Sequence, residues 1–278
     1  MIEEDDVKAV RLGTAGWNVP RSCKERVGGT GSHLERYAKL LNATEINSSF
    51  HKPHRRSTYQ KWANATPDDF RFSGKVPKSV THSPQLALTE LDRFIEESAG
   101  LGSKLGVLLV QFAPRRIFVE SEAELLFSAL RDRSSAALAC EPRHTSWFSD
   151  EVGAWLSERR ICRVAADPAR APDADLPGGW PSLRYFRLHG APRIYHSAYD
   201  GAFLRTLKTR LDAASSSGET WCILDNTAAG AALENALDLL HGPWSADLDG
   251  GAPAAPAGNG TERSATRYLP YSARRCPS

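Results

Sequence analysis

The chain has 278 residues, 41% hydrophobic and 24% charged, with a formal net charge of +2, enough for one large core or two small ones. Such balanced charge argues against a dedicated nucleic-acid or membrane-surface binder, and no apolar run approaches the roughly 20 residues that span a bilayer. Residues Met1 to Asp6 are acidic, unlike a secretion signal, and the five cysteines (Cys23, Cys140, Cys162, Cys222, Cys276) form no CxxC pair, as expected of buried thiols in a reducing cytoplasm.

Eight short β-like runs follow one another: Lys8–Gly16, Ala43–Phe50, Phe70–Pro77, Val107–Ala113, Ala137–Arg143, Ile161–Asp167, Leu183–Gly190 and Thr220–Asn226. Each is bounded by Gly, Pro, Asp or Asn. Helical patterns lie between them, at Ser32–Leu41, Thr58–Asn64, Thr89–Leu101, Glu122–Arg131, Ser149–Arg159, Gly201–Ser215 and Ala229–Leu240. Ser149-Asp150-Glu151 has the form of an N-cap with first-turn acids. The segment from Pro168 to Pro181 is rich in Pro, Gly and Asp, so the sixth-to-seventh connection is expected to lack a regular helix.

Eight strands alternating with helices predict a single-domain α/β fold, a (β/α)8 TIM-like barrel over residues 8–244, preceded by an acidic extension (1–7). A doubly wound sheet is the alternative, but its Gly-rich dinucleotide turn is missing. Gly28-Gly29-Thr30-Gly31 matches neither GxGxxG nor a P-loop and reads as a flexible loop sooner than a phosphate cradle. Residues 245–278 turn to Gly, Pro, Ala and Ser and then to basic residues, the composition of a disordered tail. Whether Tyr268 and Tyr271 dock back is left open.

Strand side chains alternate faces, so parity sorts each run in two. Polar sets emerge: Glu45 and Asn47; Arg71, Ser73 and Lys75; Gln111; Glu141 and Arg143; Arg163 and Asp167; Tyr185, Arg187 and His189; Asp225. In a barrel the apolar sets meet the helices and these polar sets enter the lumen, at strand ends that form the C-terminal mouth. Buried charges cost several kcal/mol unless paired or hydrated, so assembling them there implies a site. Arg11, Arg71 and Arg163 fall nearer the lower half and read as structural.

From these sets we expect Glu141, His189, Glu45 and Asp225 to be catalytic. Lys75, Arg143, Arg187, Asn47, His82, Gln111, His144, Asp167, Asn226 and Trp17 are expected to bind substrate. His82 and His144 follow strand ends and can equally cap backbone groups. Trp17 and Trp147 are candidates for the rim, or for the core.

The ordered motifs resemble one family: Gly13-Thr14-Ala15-Gly16-Trp17, Glu45 to Phe50, Lys75-Val76-Pro77 with Thr81-His82, and Leu105-Gly106 leading to Gln111. Glu141-Pro142-Arg143-His144 with Trp147, Arg187-Leu188-His189-Gly190 and Asp225-Asn226-Thr227 continue the series. These motifs, from about Leu12 to Leu240, resemble the YecE-like proteins, domain-of-unknown-function family seventy-two. The resemblance implies a TIM-like barrel and no particular reaction. Two departures stand out: Phe50-His51 where many members read Phe-Tyr, and Leu224-Asp225-Asn226 where many read Phe-Asn-Asn.

Three functions compete. The first is a metal-independent enzyme on a small phosphorylated or carboxylated substrate, with Lys75, Arg143 and Arg187 on the anion and Glu141 or Glu45 with His189 as acid and base. Hydrolysis, isomerisation and elimination all fit this set. The second is a divalent-metal enzyme using Glu141, His189 and Asp225 with Glu45 or His82, against which the interleaved cations count. The third is a non-catalytic ligand- or nucleic-acid-binding barrel. No cofactor is called for, and the oligomeric state is left open.

Overall fold

Each expected run becomes a strand in the computed structural model, which describes residues 10–83 and 87–242. The strands are β1 (Arg11–Thr14), β2 (Ala43–Ile46), β3 (Arg71–Lys75), β4 (Leu105–Gln111), β5 (Ala137–Glu141), β6 (Ile161–Arg163), β7 (Ala165–Asp167), β8 (Gly178–Gly179), β9 (Leu183–Leu188) and β10 (Glu219–Leu224). The sixth run thus divides in two. Between β7 and β9 the chain forms only the two residues of β8, as the composition of 168–181 leads one to expect. The unit Pro243–Ser278 lies outside the described residues, and with it the tail and its two tyrosines. The acidic extension lies outside them too.

Helices occupy the expected intervals: His33–Tyr37, Arg56–Asn64, Leu88–Ser98, Glu120–Arg133, Asp150–Glu158, Gly201–Ser215 and Ala231–His241. Their starts follow from side-chain caps. Ser32 Oγ accepts from Glu35 N (3.3 Å) while Glu35 Oε2 accepts from Ser32 N (2.7 Å), closing a capping box. Asp200 Oδ1 accepts from Phe203 N at 2.8 Å. The Gly28–Gly31 segment joins the short helix Lys24–Val27 to this capping box. At Gly31 φ is +104°, and a Cβ would come within 2.9 Å of Glu35 Oε2.

The strands form two sheets, both largely parallel, in the orders β1-β10-β9-β7 and β2-β3-β4-β5-β6-β8. The closed eight-stranded cylinder expected from the sequence is not formed by these ladders, and local chemistry accounts for the break between β1 and β2. Between β1 and β2, side chains stand where ladder bonds would be. Tyr37 Oη accepts from Thr14 N (2.8 Å) and donates to Ala43 O (2.9 Å), and Asn42 Oδ1 accepts from Leu12 N (2.8 Å). Among the described residues one backbone bridge joins the pair, Ala15 with Glu45. Gly13 sits at this seam, where a Cβ would lie 2.1 Å from Ala43 O. At the other break the antiparallel β8 pairs with β6, and pairing to β9 begins only at β7.

Alternation along the strands builds two apolar layers. One face of β4 and β5 (Leu108, Val110, Leu138, Cys140) packs on helical Phe94, Leu126, Phe127 and Trp155. The other carries Val107, Leu109 and Ala139, which join Tyr185, Trp221 and Ile223 from the second sheet in one buried cluster. Each large side chain so buried contributes about 1.5–3 kcal/mol. The face that holds this cluster continues, toward the strand C-termini, as the charged residues described next. The four described cysteines are free and buried, and no described helix is long and apolar enough to cross a membrane.

Candidate functional site

Arg187 organises the site. It lies one residue before the end of β9, in register with Ile223 of β10 and Ala166 of β7, so its side chain shares their face, and it is 0% exposed. Its Nε donates to Glu45 Oε2 (2.9 Å), its Nη2 to Glu45 Oε1 (2.6 Å) and its Nη1 to Glu141 Oε2 (2.8 Å). Nη2 also lies 3.0 Å from Asp225 Oδ2. A planar guanidinium with five donors is suited to bridging three carboxylates in this way.

His189, two residues on and on the same face, stands between two of those acids. Its Nδ1 is 3.0 Å from Asp225 Oδ2 and its Nε2 is 3.1 Å from Glu141 Oε1. Burial opposes a charged ring, but Glu141 and Asp225 outweigh it and raise the His189 pKa. Burial would likewise raise the Glu141 carboxyl; His189 and Arg187 hold it well below the ordinary carboxylate value. Asp225 is lowered against burial by Arg187 and His189. Gln111 Nε2 donates to Glu141 Oε1 at 2.9 Å, and the Tyr185 hydroxyl donates to Glu45 Oε2 at 3.0 Å, with Ser73 Oγ also at 3.0 Å.

The outer members are Lys75 and Arg143. Lys75 Nζ donates to Asn47 Oδ1 (3.0 Å) and lies 4.2 Å above the Phe50 ring centroid. Burial, then the Arg187 charge, lower its pKa to about 8, against the opposing pull of Glu45, Glu141 and Asp225. Arg143 Nε approaches Glu141 Oε1 at 3.3 Å, and its Nη2 reaches the Tyr195 hydroxyl at 3.4 Å. The Tyr195 ring meets His189 edge-on at 5.7 Å, from a left-handed backbone (φ 68°) that L residues other than Asn and Asp seldom adopt. Three carboxylates therefore face two guanidiniums and an ammonium, and a protonated His189 leaves one positive charge in excess.

Glu45, Asn47, Lys75, Gln111, Glu141, Arg143, Arg187, His189 and Asp225 thus come together from both sheets. The other expected residues do not join them. Asp167 pairs in register with Leu188, which turns it to the opposite face, where it accepts from the Tyr199 hydroxyl at 2.7 Å; burial raises its pKa. Arg163 also faces away, 4.7 Å over the Phe148 ring, while Cys162 and Val164 point inward. Asn226 follows Asp225 and so points the other way, donating to Ser197 O and Asn235 Oδ1. His144 Nδ1 caps a turn by accepting from Ser146 N at 3.2 Å. Trp17 packs edge-on against Trp62 and Phe72, on the face of β3 opposite Lys75. Trp147 is core, stacked on Phe112 at 4.5 Å.

His82 stands at the rim, 2.9 Å from Thr81 Oγ1 and edge-on to Phe50. Burial and the charges of Lys78, Arg143 and Lys75 lower its pKa. The donor set expected for a metal is otherwise engaged. Arg187 reaches Glu45, Glu141 and Asp225, both ring nitrogens of His189 face carboxylates, and no group of three described His, Cys, Asp or Glu residues is arranged to hold an ion.

In the network Glu45, Glu141, Arg187, His189 and Asp225 are each at most 4% exposed. Clefts of about 280 Å³ open beside it, one lined by Phe50, His51, Pro77 and Lys78 and another by Phe112, Arg116, Ile117 and Trp147; neither is lined by Glu45, Glu141, Arg187, His189 or Asp225. Around the network, Asn47, His82 and Arg143 are half-buried and Tyr195 is exposed, whereas Lys75 is buried. Tyr185, Ser73 and Tyr195 belong to the site without having been singled out. Parity already puts the first two in the polar sets with Lys75 and Arg187, though not among the expected site residues. Tyr195 lies in a loop with no periodic signal.

A family model described as "Protein of unknown function DUF72" matches residues 11–247. The UPF0759 protein YecE of Escherichia coli K12 is 29% identical over 116 residues, covering 39% of this chain and 40% of that protein. The chain thus spans about 40% of the length of the curated relatives it matches. A solved DUF72 family protein from Enterococcus faecalis V583 superposes with a TM-score of 0.70 at 23% identity, over 83% of this chain and 94% of that one. One from Thermotoga maritima MSB8 gives 0.66 at 24% identity, over 84% and 98%. At such identities the likeness carries the mixed α/β fold alone. The chain belongs to the DUF72 family.

Proposed function

We propose that this protein is a barrel-like enzyme that performs acid/base chemistry on a small anionic substrate, phosphorylated or carboxylated, at the rim of the Arg187 network. The observation that carries the reading is the charge excess of that network: a buried His189 with a raised pKa, held between two carboxylates and backed by three further cations. An excess positive charge in a nearly dry site favours an incoming anion, and Arg143 and Lys75 are the cations the rim presents to it. In this reading the two sheets are arcs of one cylinder. The division of Ile161–Asp167 between them and the Ala15–Glu45 bridge both support it.

His189 and Glu141 are then the acid/base pair, their proton lying in the 3.1 Å contact between Nε2 and Oε1. Asp225 orients the ring from Nδ1, and Arg187 holds Glu45 and Glu141 in place. Hydrolysis, isomerisation and elimination all need such a relay. A thermal-shift screen with inorganic phosphate and with phosphorylated and carboxylated metabolites tests the reading on wild type and Glu141→Gln. Anions should stabilise both proteins at slightly acid pH, and the effect should fade as pH rises through the titration of His189 and Lys75. Turnover of the ligand so found should be lost in Glu141→Gln. If no anion stabilises either protein, the reading is wrong.

A further inference from the structure

We propose that the Lys75 amine is a covalent site, forming an imine with small anionic carbonyl compounds at the rim of the network. The inference rests on the reading that the rim takes an anion, and it adds the functional group the anion must carry. Lys75 is the odd cation of the set. Arg187, Arg143 and His189 each make ion-pair contacts with network carboxylates, whereas Lys75 makes none among the described residues. Its ammonium has three N–H donors. One goes to Asn47 Oδ1 at 3.0 Å, and an aromatic face, Phe50, lies beneath it at 4.2 Å.

The ring face and the amide oxygen both favour the ammonium, and burial opposes it. A cation bonded to one amide oxygen and 5% exposed is poorly compensated for its lost hydration. The charged and titratable groups facing it are Glu45 from β2, Glu141 from β5, Arg187 from β9, Asp225 after β10 and His82 beyond β3. Burial dominates their sum, and the pKa of about 8 leaves about a tenth of the side chain as free amine at neutral pH.

The step balances without an oxidant or a metal. Lys75 Nζ gives one proton to solvent, and its lone pair then adds to the carbonyl carbon. The carbonyl oxygen takes one proton from the nitrogen and one from solvent and departs as water. A protonated C=N bond remains, which draws electrons from the adjacent carbon. That is the position at which the His189–Glu141 pair would remove or return a proton, so the inference favours isomerisation or elimination over hydrolysis.

The test is reductive trapping on the full chain at about pH 7.5. Glyoxylate, an anionic two-carbon aldehyde, and acetaldehyde, its neutral counterpart, are each supplied with cyanoborohydride, which reduces any imine to a stable secondary amine. Peptide mapping by mass spectrometry compares Lys75 with the exposed Lys39 and Lys61 in the same sample. With glyoxylate, Lys75 should be modified about tenfold faster than either exposed lysine, in line with its lowered pKa and the cations beside it. With acetaldehyde that preference should shrink. In Lys75→Arg the fast modification should vanish while Lys39 and Lys61 react as before. Modification of Lys75 no faster than Lys39 with both aldehydes overturns the inference, and a persisting stabilisation by phosphate would then leave the anion reading standing. Equal preference for Lys75 with both aldehydes would instead remove the requirement for an anion, and with it the reading on which the inference rests.

Discussion

Replacing Arg187 with Met removes the one cation that touches all three buried carboxylates. The variant loses donors to Glu45 at 2.6 and 2.9 Å and to Glu141 at 2.8 Å, and the 3.0 Å contact to Asp225. Methionine fills much of the volume, so the loss is electrostatic and not a cavity. Removing one partner of a buried ion pair costs about 3–5 kcal/mol. Lys75, Arg143 and His189 still compensate the acids in part, which argues for that range and not a multiple of it. For a domain of this size each kcal/mol lowers Tm by about 2–4 °C, so a fall of about 6–20 °C is expected. Thermal and urea denaturation followed by circular dichroism would measure it.

The pH dependence gives a second check. In the wild type Glu141 and Asp225 are held below their ordinary values. Their contribution is complete above the unfolded carboxylate pKa and is lost as pH falls through the folded one. Without Arg187 burial dominates, these acids protonate at higher pH, and the gap between variant and wild type should narrow from neutral pH toward pH 4. Adding Glu45→Gln to the variant should recover stability, with a coupling of about 0.5–3 kcal/mol. A variant within about 1 kcal/mol of wild type at neutral pH would refute the reasoning, since an ordinary substitution does as much.

Tyr37→Phe should unpair the seam between β1 and β2, leaving Thr14 N and Ala43 O without their shared partner at a cost of about 2–5 kcal/mol; an unchanged denaturation midpoint would mean that water replaces the hydroxyl. In Asp225→Asn the His189 ring loses one of the two carboxylates that raise its pKa, so its NMR titration should move to lower pH. The wild-type ring contributes stability that is full below the unfolded imidazole pKa and is lost as pH rises through the folded value. The variant should therefore lose less stability than wild type across that interval. An unmoved titration would show that Glu141 alone sets the charge of the ring.

Much of this protein is written in local pattern. The eight expected runs, one of them divided in two, and the seven principal helices fall where alternation, helical spacing and capping residues put them, because those signals act within a few residues. Parity also collected most of the network, since Glu45, Lys75, Glu141, Arg187 and Asp225 alternate with apolar neighbours on well-patterned strands. It failed at Ile161–Asp167, where polar and apolar residues alternate but register turned Arg163 and Asp167 outward and Val164 inward. A period of two names two faces and not which of them is interior; the neighbouring strand decides that. The break between β1 and β2 was equally out of reach, because Tyr37 and Asn42 take ladder positions only once the segment that carries them has docked. The same holds for the pairing of Arg187 with three acids and for the isolation of Lys75. Both depend on distances between side chains far apart in the chain, which folding alone brings together.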